Sequence, residues 1–215
     1  MTKIFLAAED GELHAQFRRH CGDLEGVEVH HGSILDLAVD AVVSPANSFG
    51  FMDGGIDLAY SRRFGWKVQE RVQALIRKRH HGELLVGAAA IVPTDDARIP
   101  FLVAAPTMRV PMILRESVNP YLAARAALLL VKHGRLEMRP LTGTPVRERV
   151  SSIAFPGLGT GVGRIPPGTC ARQVRQAIEE VVLGLGSFPR SWDDAQERHQ
   201  RLYTNRVRDL QEEGR

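Results

Sequence analysis

Two buried-strand patterns that each empty into glycine constrain this chain more than any other feature. Asp40-Ala41-Val42-Val43 reads as a strand covered on both faces, and SPANSFGFMDGGID, from Ser44 to Asp57, follows it directly. Val150 to Phe155 reads as a second such strand, and PGLGTGVGRIPP follows it, ahead of a helix expected from about Pro166. Glycine lets a backbone approach a ligand closely and lets successive N–H groups converge on an anion. Two strand–glycine loop–helix units therefore predict a layered α/β fold that binds its ligand at the carboxyl ends of its strands.

The rest of the chain fits that scheme. Lys3 to Ala8 reads as a first strand, Asp10 as the cap of a helix with Leu13 and Phe17 on one face, and Val27 to His31 as a second strand. Trp66 to His81 is expected to be helical, with Val68, Val72, Leu75 and Ile76 on one side and Gly82 as the stop. Leu84 to Pro93 and Phe101 to Ala105 read as buried strands. Asn119-Pro120 reads as an N-cap and first helical position, with the helix running through Val131. After the second glycine loop, Val174, Ile178, Val181 and Leu185 share a helix face. Ser191 to Leu210 predicts an added arginine-rich helix packed through Leu202, Tyr203, Val207 and Leu210.

A length of 215 residues suits one α/β domain, 1–190, with a helical extension, 191–215. No run of about 18 apolar residues is present and the N-terminus is no signal peptide, so a soluble, cytoplasmic protein without a membrane partner is expected. Cys21 and Cys170 have no metal or redox spacing and read as buried thiols. The net charge of +3 and the preponderance of 24 arginines over four lysines permit a phosphate-bearing partner, nucleic acid included. However, Arg62-Arg63 and Arg77-Lys78-Arg79 have no interleaved aromatics and read as solvated surface. The pairs His30-His31 and His80-His81 diverge, so no metal is expected.

Gly157, Gly159, Gly161 and Gly163 alternate ahead of a helix, an arrangement suited to cradling a phosphate. The segment lacks both the GxGxxG spacing of a dinucleotide-binding unit and the Gly-Lys-Ser/Thr of a P-loop. A nicotinamide dehydrogenase and an ordinary NTPase are thus disfavoured.

Gly32-Ser33-Ile34, then Asp40 to Ser48, then Asp53-Gly54-Gly55-Ile56-Asp57, and later Gly159-Thr160-Gly161-Val162-Gly163, resemble in order and spacing the signatures of the macrodomain family over about Val27 to Leu185. The resemblance implies a three-layer α/β/α sandwich with a central mixed sheet, no cofactor, and ADP-ribose and ADP-ribosylated proteins as partners. By resemblance, Ser33 and Ile34 lie at the base and Asn47 at the distal ribose. Asp53, Gly54, Gly55 and Ile56 line that ribose and the diphosphate. Gly157, Gly159, Thr160, Gly161, Val162, Gly163 and Arg164 supply the second loop. Asp57 matches the acid proposed to position or activate water in hydrolytic members, and the activity expected of this chain is attack by that water on the anomeric carbon of ADP-ribose carried on a modified protein through an acyl-linked Glu or Asp. With an ordinary carboxyl, such a residue positions water rather than taking its proton. A binding module without turnover is the alternative.

Each of these residues has a plainer role open to it. Asn47 can satisfy loop backbone groups, Asp57 can be a first-turn acid, and Asp53 is either a loop-stabilising acid or a second carboxylate. Three departures from the family pattern stand out: Ser33 where an aspartate commonly reads adenine, two glycines after Asp53 where three are common, and Gly163 where an aromatic often covers the ribose. The pocket is then either more open or closed by Phe49, Phe51 or Arg164. Pro106 to Pro111 either lines the same pocket or is a rigid connection.

Overall fold

The computed structural model describes residues 2–45 and 47–209. Six strands, β1 (Lys3–Ala8), β2 (Val27–His31), β3 (Ala41–Ser44), β4 (Ala90–Pro93), β5 (Phe101–Ala104) and β6 (Ser152–Phe155), form one sheet in the order β2-β1-β6-β3-β5-β4. All neighbours are parallel except β4, which runs antiparallel to β5. Five strands thus point their carboxyl ends at one crest, and β6 and β3, which carry the two glycine loops, are adjacent there.

Strand alternation decides the layers. Ile4, Leu6, Ala41, Val43, Ile153 and Phe155 face a core shared with the helices α1 (Gly11–Cys21), α4 (Asn119–His133) and α5 (Pro167–Val181). Phe5, Ala7, Val42, Leu102 and Ala154 face the opposite core, shared with α2 (Gly55–Phe64) and α3 (Lys67–Arg79). Both faces of the sheet are covered, which is why its central strands are apolar throughout. The three-layer mixed α/β/α architecture is as expected. At the foot of the sheet, Asp40 Oδ2 accepts hydrogen bonds from the N–H and hydroxyl groups of both Ser151 and Ser152 at 2.8–2.9 Å, fixing β3 against β6.

Several boundaries differ from the sequence reading. The strand expected from Leu84 begins only at Ala90, because Leu84 N–H turns to Ser48 O and Gly87 adopts a left-handed φ of 93°. Val150 belongs to the end of a tight turn, with its N–H on Val146 O, so β6 starts at Ser152. Asn119 is the first helical residue rather than the cap, and its side-chain amide donates to Thr107 O. α3 stops at Arg79, where both His80 and Gly82 N–H groups close on Ile76 O. Leu185 lies beyond the end of α5 and is 69% exposed.

The C-terminal helix, α6 (Trp192–Arg201), is half the expected length. Ser191 caps it, and Gln200 folds the following segment back by exchanging two hydrogen bonds with Arg208. Leu202 is buried and Val207 exposed, while Leu210 lies outside the described residues. Among the described residues no helix is long and apolar enough to cross a membrane. Both cysteines are buried, and burial pushes each thiol up to about 12.

Candidate functional site

β3 ends at Ser44, and the chain then makes a loop held by its own asparagine. Asn47 Oδ1 accepts from Phe49 N–H at 3.1 Å and Phe51 N–H at 3.3 Å, and Nδ2 donates to Phe51 O at 2.9 Å. The plainer role anticipated for Asn47 is therefore occupied. Met52 is buried, anchored by Gln69 Oε1 on its N–H and by the Ser61 hydroxyl on its carbonyl. Asp53 and Gly54 emerge exposed, and Gly55, at φ 54°, opens α2. α2 has no side-chain cap, and the N–H groups of Gly55, Ile56 and Asp57 have no acceptor among the described residues. Such a terminus favours an anion.

Asp57 sits in the first turn of α2 but faces inward, at 7% exposure. The Ser44 hydroxyl donates to its Oδ1 at 2.5 Å. Burial disfavours the charged form and the Ser44 hydrogen bond favours it; burial dominates, and the carboxyl is raised to about 7. The expectation of an ordinary carboxyl is corrected on this point. Tyr60, one turn on, donates to Val43 O at 3.0 Å, and burial together with Asp57 pushes its phenol well above the usual range.

The second loop leaves β6 at Phe155. Its carbonyls turn into the protein: Gly159 O accepts from Ile165 N–H, Gly161 O from Arg164 N–H, and Gly163 O from Leu114 N–H. The N–H groups of Thr160, Gly161, Val162 and Gly163 have no acceptor among the described residues, and α5 behind them begins without a side-chain cap. Consecutive free donors before an uncapped helix make an anion nest. Two glycines are also required for packing. A Cβ on Gly157 would run into Thr160 Oγ1 and Leu13, and one on Gly163 would lie 2.5 Å from Gly159 O.

The segment after β5 joins the two loops. Thr107 donates through N–H and hydroxyl to Pro45 O, Ser48 N–H donates to Arg109 O, and Leu114 reaches Gly163 O. Phe49 is covered by Arg109, which pairs with Glu83 at 2.7 Å, so of the three residues considered for closing the pocket Phe51 and Arg164 stand exposed. At the edge of the sheet, Ile34 is buried as core, and Ser33 Oγ accepts from Leu35 N–H at 3.4 Å. Ser44 is the residue that sequence reasoning missed. Its only signal was a hydroxyl at the end of an apolar strand.

A groove of about 770 Å³ lies elsewhere, between α4, α5 and the C-terminal segment. Its arginines are committed, Arg198 to Asp194 and Ser187, Arg172 to Arg201 O, Arg201 to Glu197 and Arg125 to Glu180. No group of three or more His, Cys, Asp or Glu suited to a metal occurs among the described residues.

Parallel strands, two glycine loops at adjacent strand ends and a buried acid beside them define an α/β protein whose unpaired backbone donors suit an anion. The family model for the Macro domain matches residues 43–174, and the chain belongs to the macrodomain family. An uncharacterized protein of Aeropyrum pernix is 31% identical over 162 residues, 75% of this chain and 74% of its own length. One of Aquifex aeolicus is 29% identical over 72% of this chain and 80% of its own length. Among solved structures, the Oceanobacillus iheyensis macrodomain with ADP has a TM-score of 0.56 at 22% identity, covering 80% of this chain and 84% of that one. The macrodomain of Mycobacterium tuberculosis DarG has a TM-score of 0.55 at 18% identity, covering 69% and 87%. A mutant of the Oceanobacillus protein was solved with ADPR, at TM-score 0.55 and 23% identity over 68% of this chain and 73% of that one.

Proposed function

We propose that this protein binds ADP-ribose along the crest and hydrolyses it from modified proteins, with an acyl-linked glutamate or aspartate as the substrate. The diphosphate is held by the open N–H groups of the second loop and of the first turn of α2, which stabilise charge without burying an unpaired cation. Water attacks the anomeric carbon as the bond to the acyl oxygen breaks. The substrate carboxylate leaves as an anion, and Asp57 takes the proton from water.

The observation that carries this reading is the buried Ser44–Asp57 pair, a carboxyl raised to about 7 at the foot of the anion cradle. A base with that affinity for protons is matched to neutral pH, where an ordinary carboxylate is too weak. An ADP-ribosylated glutamate substrate incubated with wild type and Asp57→Asn tests it. The variant is expected to release ADP-ribose about 100-fold more slowly while keeping ADP-ribose affinity within a few-fold. Equal rates would remove Asp57 from the chemistry, and wild-type release at background with intact binding would leave a binding module.

A further inference from the structure

The far end of the crest carries a feature that the hydrolytic reading does not use. His31, the last residue of β2, pairs in register with Ala8, which faces the α1 side of the sheet. There its ring stacks on that of His14 from α1, with centroids 4.3 Å apart and planes 13° from parallel. His30 points to the other side, its Nε2 buried with no hydrogen-bond partner among the described residues, against the backbone of Gly32. Stacked rings present faces rather than converging nitrogens, so this is no metal site. Burial, then His31, Arg18 and His30, hold His14 below the usual imidazole range, which favours its neutral form.

The position of the stack gives it a meaning. β2 is two strands from β6 and three from β3, and neighbouring strands lie about 4.8 Å apart, so the rings stand about 10 Å along the crest from the second loop. That is the reach of one nucleoside from a diphosphate held at β6. Ala8 is two residues past Leu6, the register partner of Phe155, so the rings stand level with Gly157. Leu13, the neighbour of His14, packs directly under Gly157. The crest therefore runs in order from the imidazole stack, through the anion nest, to Asp57. β1, α1 and β2 also lie outside the segment that the family model matches.

We infer that His14 and His31 form a stacking platform for the base of the bound nucleotide, with Ser33 beside it, so that the site accepts purines by face rather than adenine by its edge. This rests on the proposed binding of ADP-ribose. Ser33 Oγ already accepts from Leu35, which leaves its O–H to donate. A single hydroxyl donor suits a ring nitrogen, which adenine, hypoxanthine and guanine all present, and it gives no preference for the adenine amino group. A stacked base gains from ring area and is tolerant of its substituents.

Calorimetric titration with ADP-ribose, its hypoxanthine and guanine counterparts, and ribose 5-phosphate tests the platform on the full chain, in wild type, the double variant His14→Ala/His31→Ala and the double variant His14→Phe/His31→Phe. Wild type is expected to bind the three purine ligands within about threefold of one another. The alanine variant loses roughly tenfold or more for each of them with ribose 5-phosphate unchanged, and the phenylalanine variant retains binding. Wild-type binding of ADP-ribose with no loss in the alanine variant overturns the platform alone, as does a preference for adenine over hypoxanthine above about 100-fold. Absence of ADP-ribose binding by wild type overturns the reading on which it rests.

Discussion

A carboxyl group enclosed at the end of a strand and touched by a serine hydroxyl has two consequences that are measured separately. The first is kinetic. Ser44→Ala removes the hydrogen bond that favours ionised Asp57, so the midpoint of the pH–rate profile, expected near 7 in wild type, moves upward. The rate at pH 7 is then expected to fall roughly tenfold and to recover at higher pH, whereas a purely structural serine would lower the rate equally at every pH. The second consequence is thermodynamic. The folded carboxyl is raised from 3.8 to about 7, so its contribution to stability is complete below about pH 4 and is lost as pH rises toward 7, a penalty on the order of 4 kcal/mol above that range. Asp57→Asn keeps an acceptor for Ser44 and loses the penalty. Chemical denaturation is expected to show the variant gaining on wild type steadily between pH 4 and 8, and a constant difference would contradict the burial argument. Asp57 was singled out in the sequence by its place after Asp53-Gly54-Gly55. Its protonation was not legible there, because that depends on how α2 packs onto β3, thirteen residues away from Asp57 along the chain at Ser44.

At the scale of elements, the glycines of the second loop do different work at different positions. Gly161 has nothing within 4 Å of an added Cβ, whereas a Cβ at Gly163 meets Gly159 O at 2.5 Å and Leu114 Cδ1 at 3.0 Å. Gly163→Ala is therefore expected to cost about 1–3 kcal/mol of stability and to weaken ADP-ribose binding, because the backbone that offers the free N–H groups must move. Gly161→Ala is expected to stay within about 0.5 kcal/mol of wild type. Denaturation curves for the two variants check this, and equal destabilisation would mean that the loop is not packed as described. Strands β1, β3, β5 and β6 and the helices after both loops were legible because apolar runs and caps are local signals. The false start at Leu84 and the long C-terminal helix had non-local causes. Ser48 draws the Leu84 N–H away from any sheet, and the Gln200–Arg208 exchange reverses a chain whose residues are otherwise helix-compatible.

For the molecule as a whole, the sheet order brings β6 and β3 together and so sets a base platform, an anion nest and a buried acid in a line along one crest. The glycine loops and their order were readable one residue after another, and they carried the family. The adjacency of β6 and β3, the Thr107 and Leu114 ties between the loops, and the His14–His31 stack join residues far apart in the chain and were not. The central claim is that this crest holds ADP-ribose. The most direct test is calorimetric titration of the purified chain with ADP-ribose, with AMP and NAD as comparison ligands. Saturable micromolar-range binding of ADP-ribose, tighter than either comparison ligand and weakened by Gly163→Ala, is the predicted result. No binding at millimolar ADP-ribose would contradict it.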